Sequence, residues 1–292
     1  MTEGATTTRE WSRDHVEDRL DTLVEENRFT ISVVFPLVGA LSLVASAEGW
    51  FPRPLRFLEF NPYFVLFGVV VMRLPLVAGV APLVDRKAAT ALLALAGYAY
   101  GIEYLGVTTG EPYGAFEYTV ELGPMLFDTI PVALPVFFFP LVLNSYLLCL
   151  LSLGDRADRW FVRLPVAVAA VVAMDLVLDP AAVAVQFWAY DAGGVYYGVP
   201  VSNYLGWVLS ATVSVLAFDW GFSRSGLLRR VRECEFMLDD LVSFVILWGL
   251  INAFYTNWVP VAVAALFGLG LLWTDRFDFD VRGTTPLQYI GR

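Results

Sequence analysis

The chain has 292 residues; 58% are hydrophobic and 15% aromatic, while only 16% are charged and the formal net charge is −10. Soluble domains are about 45–50% apolar and about 25% charged, so this balance excludes disorder and a nucleic-acid partner and speaks against a soluble globule. With a mean hydropathy of +0.62, the expected fold class is all-α: a polytopic helical bundle in a membrane.

Residues 1–28 are polar and acidic, without the apolar stretch of a signal peptide, and are expected to form a solvated tail. Eight hydrophobic segments follow, at about 29–50, 61–84, 88–106, 125–153, 162–184, 201–220, 239–256 and 258–274. Each is near the length of about 20 residues that crosses hydrocarbon. Together they predict a single domain over 29–274 with about eight transmembrane helices. Pro131, Pro135 and Pro140 in the fourth segment predict a kink or tilt. The last two segments, separated only near Thr256–Asn257, predict a helical hairpin. Residues 275–292 are expected to form a second polar tail. With the N-terminus inside, the inner segments hold sixteen basic residues, including Arg9, Arg163, Arg282 and Arg292. The outer loops hold Arg53 and Arg56, and Arg73 falls within the second span. The positive-inside bias then puts both termini in the cytoplasm.

Few residue types remain for chemistry. Cys149 and Cys234 form no CxxC pair, and the single histidine, His15, lies in the polar tail. No dinucleotide fingerprint, P-loop, HExxH or DDxxD-type motif occurs, so no metal or cofactor site is expected. Lys87, the single lysine, is read at a loop and cannot serve as a retinal attachment point. Charged groups within the spans are therefore the candidates. Glu48, Glu103, Asp128 and Asp179 fall near the outer ends of their spans, and Asp175 one turn deeper than Asp179. The i, i+4 spacing puts Asp175 and Asp179 on one helix face. In low dielectric two such carboxyls cannot both carry full charge, so one keeps a proton, as a general acid requires. Asp219 is expected to meet the basic loop at Arg224, and Arg73 to neutralise Glu48 or Glu103. Asp239–Asp240 reads as an acidic helix start.

Two outer loops, 107–124 and 185–200, are rich in Gly, Pro, Tyr and Trp and contain no basic residue. Three stretches, Glu103–Pro124, Asp175-Leu-Val-Leu-Asp-Pro180 and Gly194–Trp207, carry a resemblance over about 98–220. The chain resembles the carotenoid hydratases, which add water to the terminal double bond of an acyclic carotenoid. The acid excess with almost no lysine resembles the branch from halophilic archaea. The resemblance implies a lipophilic carotenoid substrate, membrane lipid as surroundings, a cell-membrane location and neighbouring enzymes of carotenoid biosynthesis.

Residue roles follow from the chemistry of that reaction. Hydration of a trisubstituted alkene needs a proton donor, a stabilised tertiary cation and a water whose proton is taken up. Asp175 or Asp179 is expected to donate, and Glu103 to orient water or accept its proton; Asp128 and Glu117 are second choices. Tyr196, Tyr197, Trp188 and Trp207, with Tyr113 and Tyr118, are expected to line the substrate and cation site, and Asn203 to hold the water. Phe137, Phe138 and Phe139 could form part of a polyene groove. The competing expectation is a transporter or proton pathway built on the same intramembrane acids.

Overall fold

The computed structural model describes residues 13–274 and Arg276. Residues 1–12 and most of the tail 275–292, with Arg9, Arg282 and Arg292, lie outside the described residues. The first helical run is α1 (Arg13–Phe29), a π turn (Thr30–Val34) and α2 (Phe35–Ala47). Pro36 explains the irregular turn, because it withholds one backbone donor from the ladder. Residues 13–28 of the polar tail are thus helical, and Val24 is fully buried. Then come α3 (Pro62–Val80), α4 (Arg86–Thr109), α5 (Leu134–Leu153), α6 (Trp160–Ala184), α7 (Val201–Gly221), α8 (Arg224–Glu233), α9 (Asp239–Phe254) and α10 (Trp258–Trp273). Among the described residues, six helical runs, Arg13–Ala47 through Val201–Gly221, are long and apolar enough to cross a membrane. The last two apolar helices have only 16 residues each, about 24 Å of rise against roughly 30 Å of hydrocarbon.

The helix α6 sits at the middle, packed against α5, α7, α9 and α10. Large apolar side chains such as Phe67, Leu93 and Leu266 point outward, as a lipid-facing surface requires. At one end of the bundle, the loop end, the chain between α4 and α5 and that between α6 and α7 fold over the helices. β1 (Phe116–Tyr118) pairs antiparallel with β4 (Trp188–Tyr190), with Tyr118 opposite Trp188 and Phe116 opposite Tyr190. Asp191 N–H to Ala115 O (3.0 Å) and Thr119 N–H to Phe187 O (3.1 Å) extend this ribbon. β2 (Met125–Leu126) and β3 (Ile130–Pro131) make a second small hairpin.

Three local expectations change. The fourth apolar segment does not run as one helix from 125: its first part is the β2–β3 hairpin, and Pro135 sits at the start of α5 with Pro140 inside it. The basic stretch after α7 is the helix α8, with Ser223 accepting from Gly226 N–H as its N-cap and Leu227 and Val231 buried beneath it. Arg73 meets neither Glu48 nor Glu103. It pairs with Asp240, and its Nε donates to Val136 O at 3.3 Å. That carbonyl is the one deprived of a helical donor by Pro140. Glu48 instead accepts from Tyr255 (2.9 Å).

Candidate active site

Beneath the β1–β4 ribbon lies a cavity of about 130 Å³, the room of about four waters. Half of its lining residues are aromatic, with Phe137, Phe138, Trp188, Trp207 and Trp248 among them, and beside the tyrosines its polar lining residues are Asp179, Glu103 and Asn203. Trp207 stacks on Phe138 at 5.7 Å and 23° and tilts against Tyr113 at 6.1 Å. Tyr113 reaches this position because Gly206 leaves space; a Cβ there would lie 2.4 Å from the ring. The Tyr113 hydroxyl then bonds Ser210 Oγ at 2.6 Å.

The i, i+4 pair is brought together as the spacing requires. Asp175 and Asp179 are 0% and 3% exposed. Asn203 of α7 donates through Nδ2 to Asp175 Oδ2 and to Asp179 Oδ2, 2.7 Å each. Asn203 therefore ties the two carboxyls to each other. Asp179 lines the cavity and Asp175 stands behind it. Asp179 also accepts from Tyr190 OH at 2.7 Å, whereas Asp175 Oδ1 has no hydrogen-bond partner among the described residues. Glu103 of α4 accepts from Tyr118 OH. Burial first and the nearby carboxyls next hold the Tyr118 and Tyr190 hydroxyls well above the usual phenol range. Both stay protonated donors. No arginine or lysine pairs with Asp175, Asp179 or Glu103 among the described residues. Nor do the described residues include a group of three His, Cys, Asp or Glu placed to hold a metal ion.

Other expected residues fall elsewhere. Asp128 is exposed in the β2–β3 turn with φ of 53°, and Glu117 points outward from β1; neither lines the cavity. Tyr196 and Tyr197 also lie off the cavity. Tyr197 is 36% exposed and accepts from Val259 N–H, and Tyr196 bonds backbone of α6. Asn203 does line the cavity, and its Nδ2 is engaged by the two acids. Asp219 pairs with Arg163 and Tyr146, while Arg224 lies 3.9 Å from Asp158. Sequence reasoning missed Phe187 and Trp248 in the lining, and it also missed Tyr190 and Phe116. The signal for Tyr190 and Phe116 was the matched aromatic-x-aromatic triplets Phe116-Glu-Tyr118 and Trp188-Ala-Tyr190, which put the rings of each strand on one face.

The description "Carotenoid biosynthesis protein" belongs to the family whose model matches residues 60–271, which include every cavity residue. The bisanhydrobacterioruberin hydratase of Haloarcula japonica is 65% identical over 274 residues, covering 94% of this chain and 92% of that protein. No solved structure matches.

Proposed function

The chain belongs to the carotenoid biosynthesis protein family, and from that premise we propose that it adds water to the terminal double bonds of bisanhydrobacterioruberin, yielding bacterioruberin. The observation that carries the reading is the aromatic cavity bearing Asp179 and Glu103, with Asp175 held against Asp179 by Asn203. Both hydrogen bonds to Asp179 and the one to Asp175 fall on Oδ2, which leaves the Oδ1 of each carboxyl able to keep a proton. In this scheme the pair holds one shared proton and Asp179 delivers it to the less substituted alkene carbon.

The π electrons form the new C–H bond, leaving a tertiary cation on the neighbouring carbon. The faces of Trp188, Trp207 and Phe138 stabilise it by roughly 0.5–2 kcal/mol each. One water attacks, and Glu103 takes the proton that the water loses. The proton gained by Glu103 equals the one lost by the acid pair, so the cycle closes by its return. No cofactor enters this balance. The cavity takes a chain end, and the polyene beyond it lies along the apolar surface of the bundle in the membrane.

The same proposal includes eight membrane crossings, with α9 and α10 as a short hairpin, and both termini in the cytoplasm. It also includes a multi-pass cell-membrane protein that receives its polyene from neighbouring pathway enzymes. The arginine bias supports this orientation and puts the loop end outside. The test is deletion of the gene with mass analysis of pigments, paired with purified protein supplied with the dehydrated carotenoid. Accumulation of pigment lacking water at its ends, and gain of water in vitro, are expected; an unchanged pigment profile contradicts the reading.

A further inference from the structure

The acid pair of α6 is followed directly by a proline, Pro180. Pro180 has no N–H, so the carbonyl of Leu176, four residues earlier, receives no donor from its own helix. Leu176 directly follows Asp175 and precedes Asp179 by three residues. Its oxygen accepts instead from the hydroxyl of Tyr196 at 3.2 Å. The next carbonyl, Val177, accepts from Asn252 Nδ2 at 2.8 Å. The backbone between the two acids is therefore held by side chains from elsewhere in the fold.

Tyr196 is well fixed for this task. Its ring lies edge-on to Tyr197 at 4.9 Å and to Tyr204, the neighbour of Asn203, at 5.8 Å. Its backbone bridges to Val199. Gly194 permits that tight turn, because a Cβ there would sit 1.9 Å from the Val199 carbonyl carbon. At the other end of the same loop, Tyr190 donates to Asp179 itself. The loop thus grips α6 twice, once on the carboxyl and once on the backbone one turn deeper.

We infer that Tyr196 is a positioning residue for the acid pair: its hydroxyl replaces the hydrogen bond that Pro180 removes and so sets the separation of the Asp175 and Asp179 carboxyls. The inference rests on the acid-pair reading proposed above. Tyr196 lies outside the cavity and touches no substrate there. Its loss loosens the turn between the acids and leaves the binding walls in place.

The experiment compares wild type, Tyr196→Phe, Pro180→Ala and the double variant, purified and reconstituted in lipid vesicles with the dehydrated carotenoid. Initial rates of hydrated product are followed over a range of pigment concentrations. Tyr196→Phe is expected to lower kcat by about tenfold with KM within about twofold of wild type. Pro180→Ala returns an N–H to the helix, so in that background Tyr196→Phe is expected to cost less than about twofold. An unchanged kcat in Tyr196→Phe, a change confined to KM, or the same loss in both backgrounds overturns the inference. Should Pro180→Ala fail to fold, the kcat-against-KM result for Tyr196→Phe decides alone. Asp179→Asn is run alongside. An inactive Asp179→Asn with an unaffected Tyr196→Phe removes the positioning role only, whereas an active Asp179→Asn removes the acid-pair reading and this inference with it.

Discussion

The two ends of the bundle bury carboxyls in opposite ways. Away from the loops, the buried Asp239 and Asp240 and the half-buried Asp219 each have an arginine: Arg28 at 2.6 Å, Arg73 and Arg163 respectively. At the loop end, Asp175, Asp179 and Glu103 have only hydroxyl and amide partners among the described residues: Asn203, Tyr190 and Tyr118. A carboxylate locked to a guanidinium keeps its charge and is a poor proton donor. A carboxyl bonded to neutral groups in an apolar wall can hold a proton and release it. The same residue type is therefore structural at one end and proposed as chemical at the other, and the countercharge is what separates them.

Substitutions at the two ends should break in different currencies. The largest effects are expected at the acid pair: Asp175→Asn, like Asp179→Asn, should lower hydrated-product formation by about 10²–10⁴-fold while the protein still folds, measured by mass analysis of extracted pigment against protein yield. Asp240→Asn should do the reverse. It strands Arg73 in the bundle and should cost about 3–5 kcal/mol of stability, read as a lower Tm in detergent, with activity per folded molecule within about twofold. Glu103→Gln should lower the rate by about ten- to a hundredfold, because water then lacks its acceptor, and an initial-rate assay checks it. Trp207→Leu removes one aromatic face from the cation site and should cost about fivefold in kcat. Glu117→Gln and Asp128→Asn, both on exposed loop-end positions, should change rate by less than about twofold and stability by less than about 0.5 kcal/mol.

What was legible in the sequence follows the range of the interaction. The Asp175–Asp179 pair is a matter of helical period, and it was visible from spacing alone. The aromatic loops were visible from composition, but their pairing was not, since β1 and β4 lie on opposite sides of two intervening helices in the chain. Helix α8 was hidden by its arginines, although Ser223 and the Leu227/Val231 spacing were there to mark a cap and a buried face. The start of α5 was obscured because Met125, Leu126 and Phe127 are as apolar as the span they precede, and hydropathy does not distinguish a hairpin from a helix. The arginine partners of Asp239 and Asp240 come from α1 and α3, so no local pattern could name them. Tyr196 shows the same limit. Its type suggested a cation-facing ring, whereas the backbone gap left by Pro180 explains where its hydroxyl goes.

The central claim is that the acids without a countercharge perform the protonation, and the Asp179→Asn variant tests it most directly. The variant keeps the shape of the cavity and both of its hydrogen-bonding neighbours but has no proton to give. Purified Asp179→Asn and wild type are supplied with the dehydrated carotenoid under the same conditions, and the hydrated product is quantified by mass. The account predicts that wild type adds water and that Asp179→Asn loses at least about a hundredfold in rate; a variant that hydrates at the wild-type rate contradicts it.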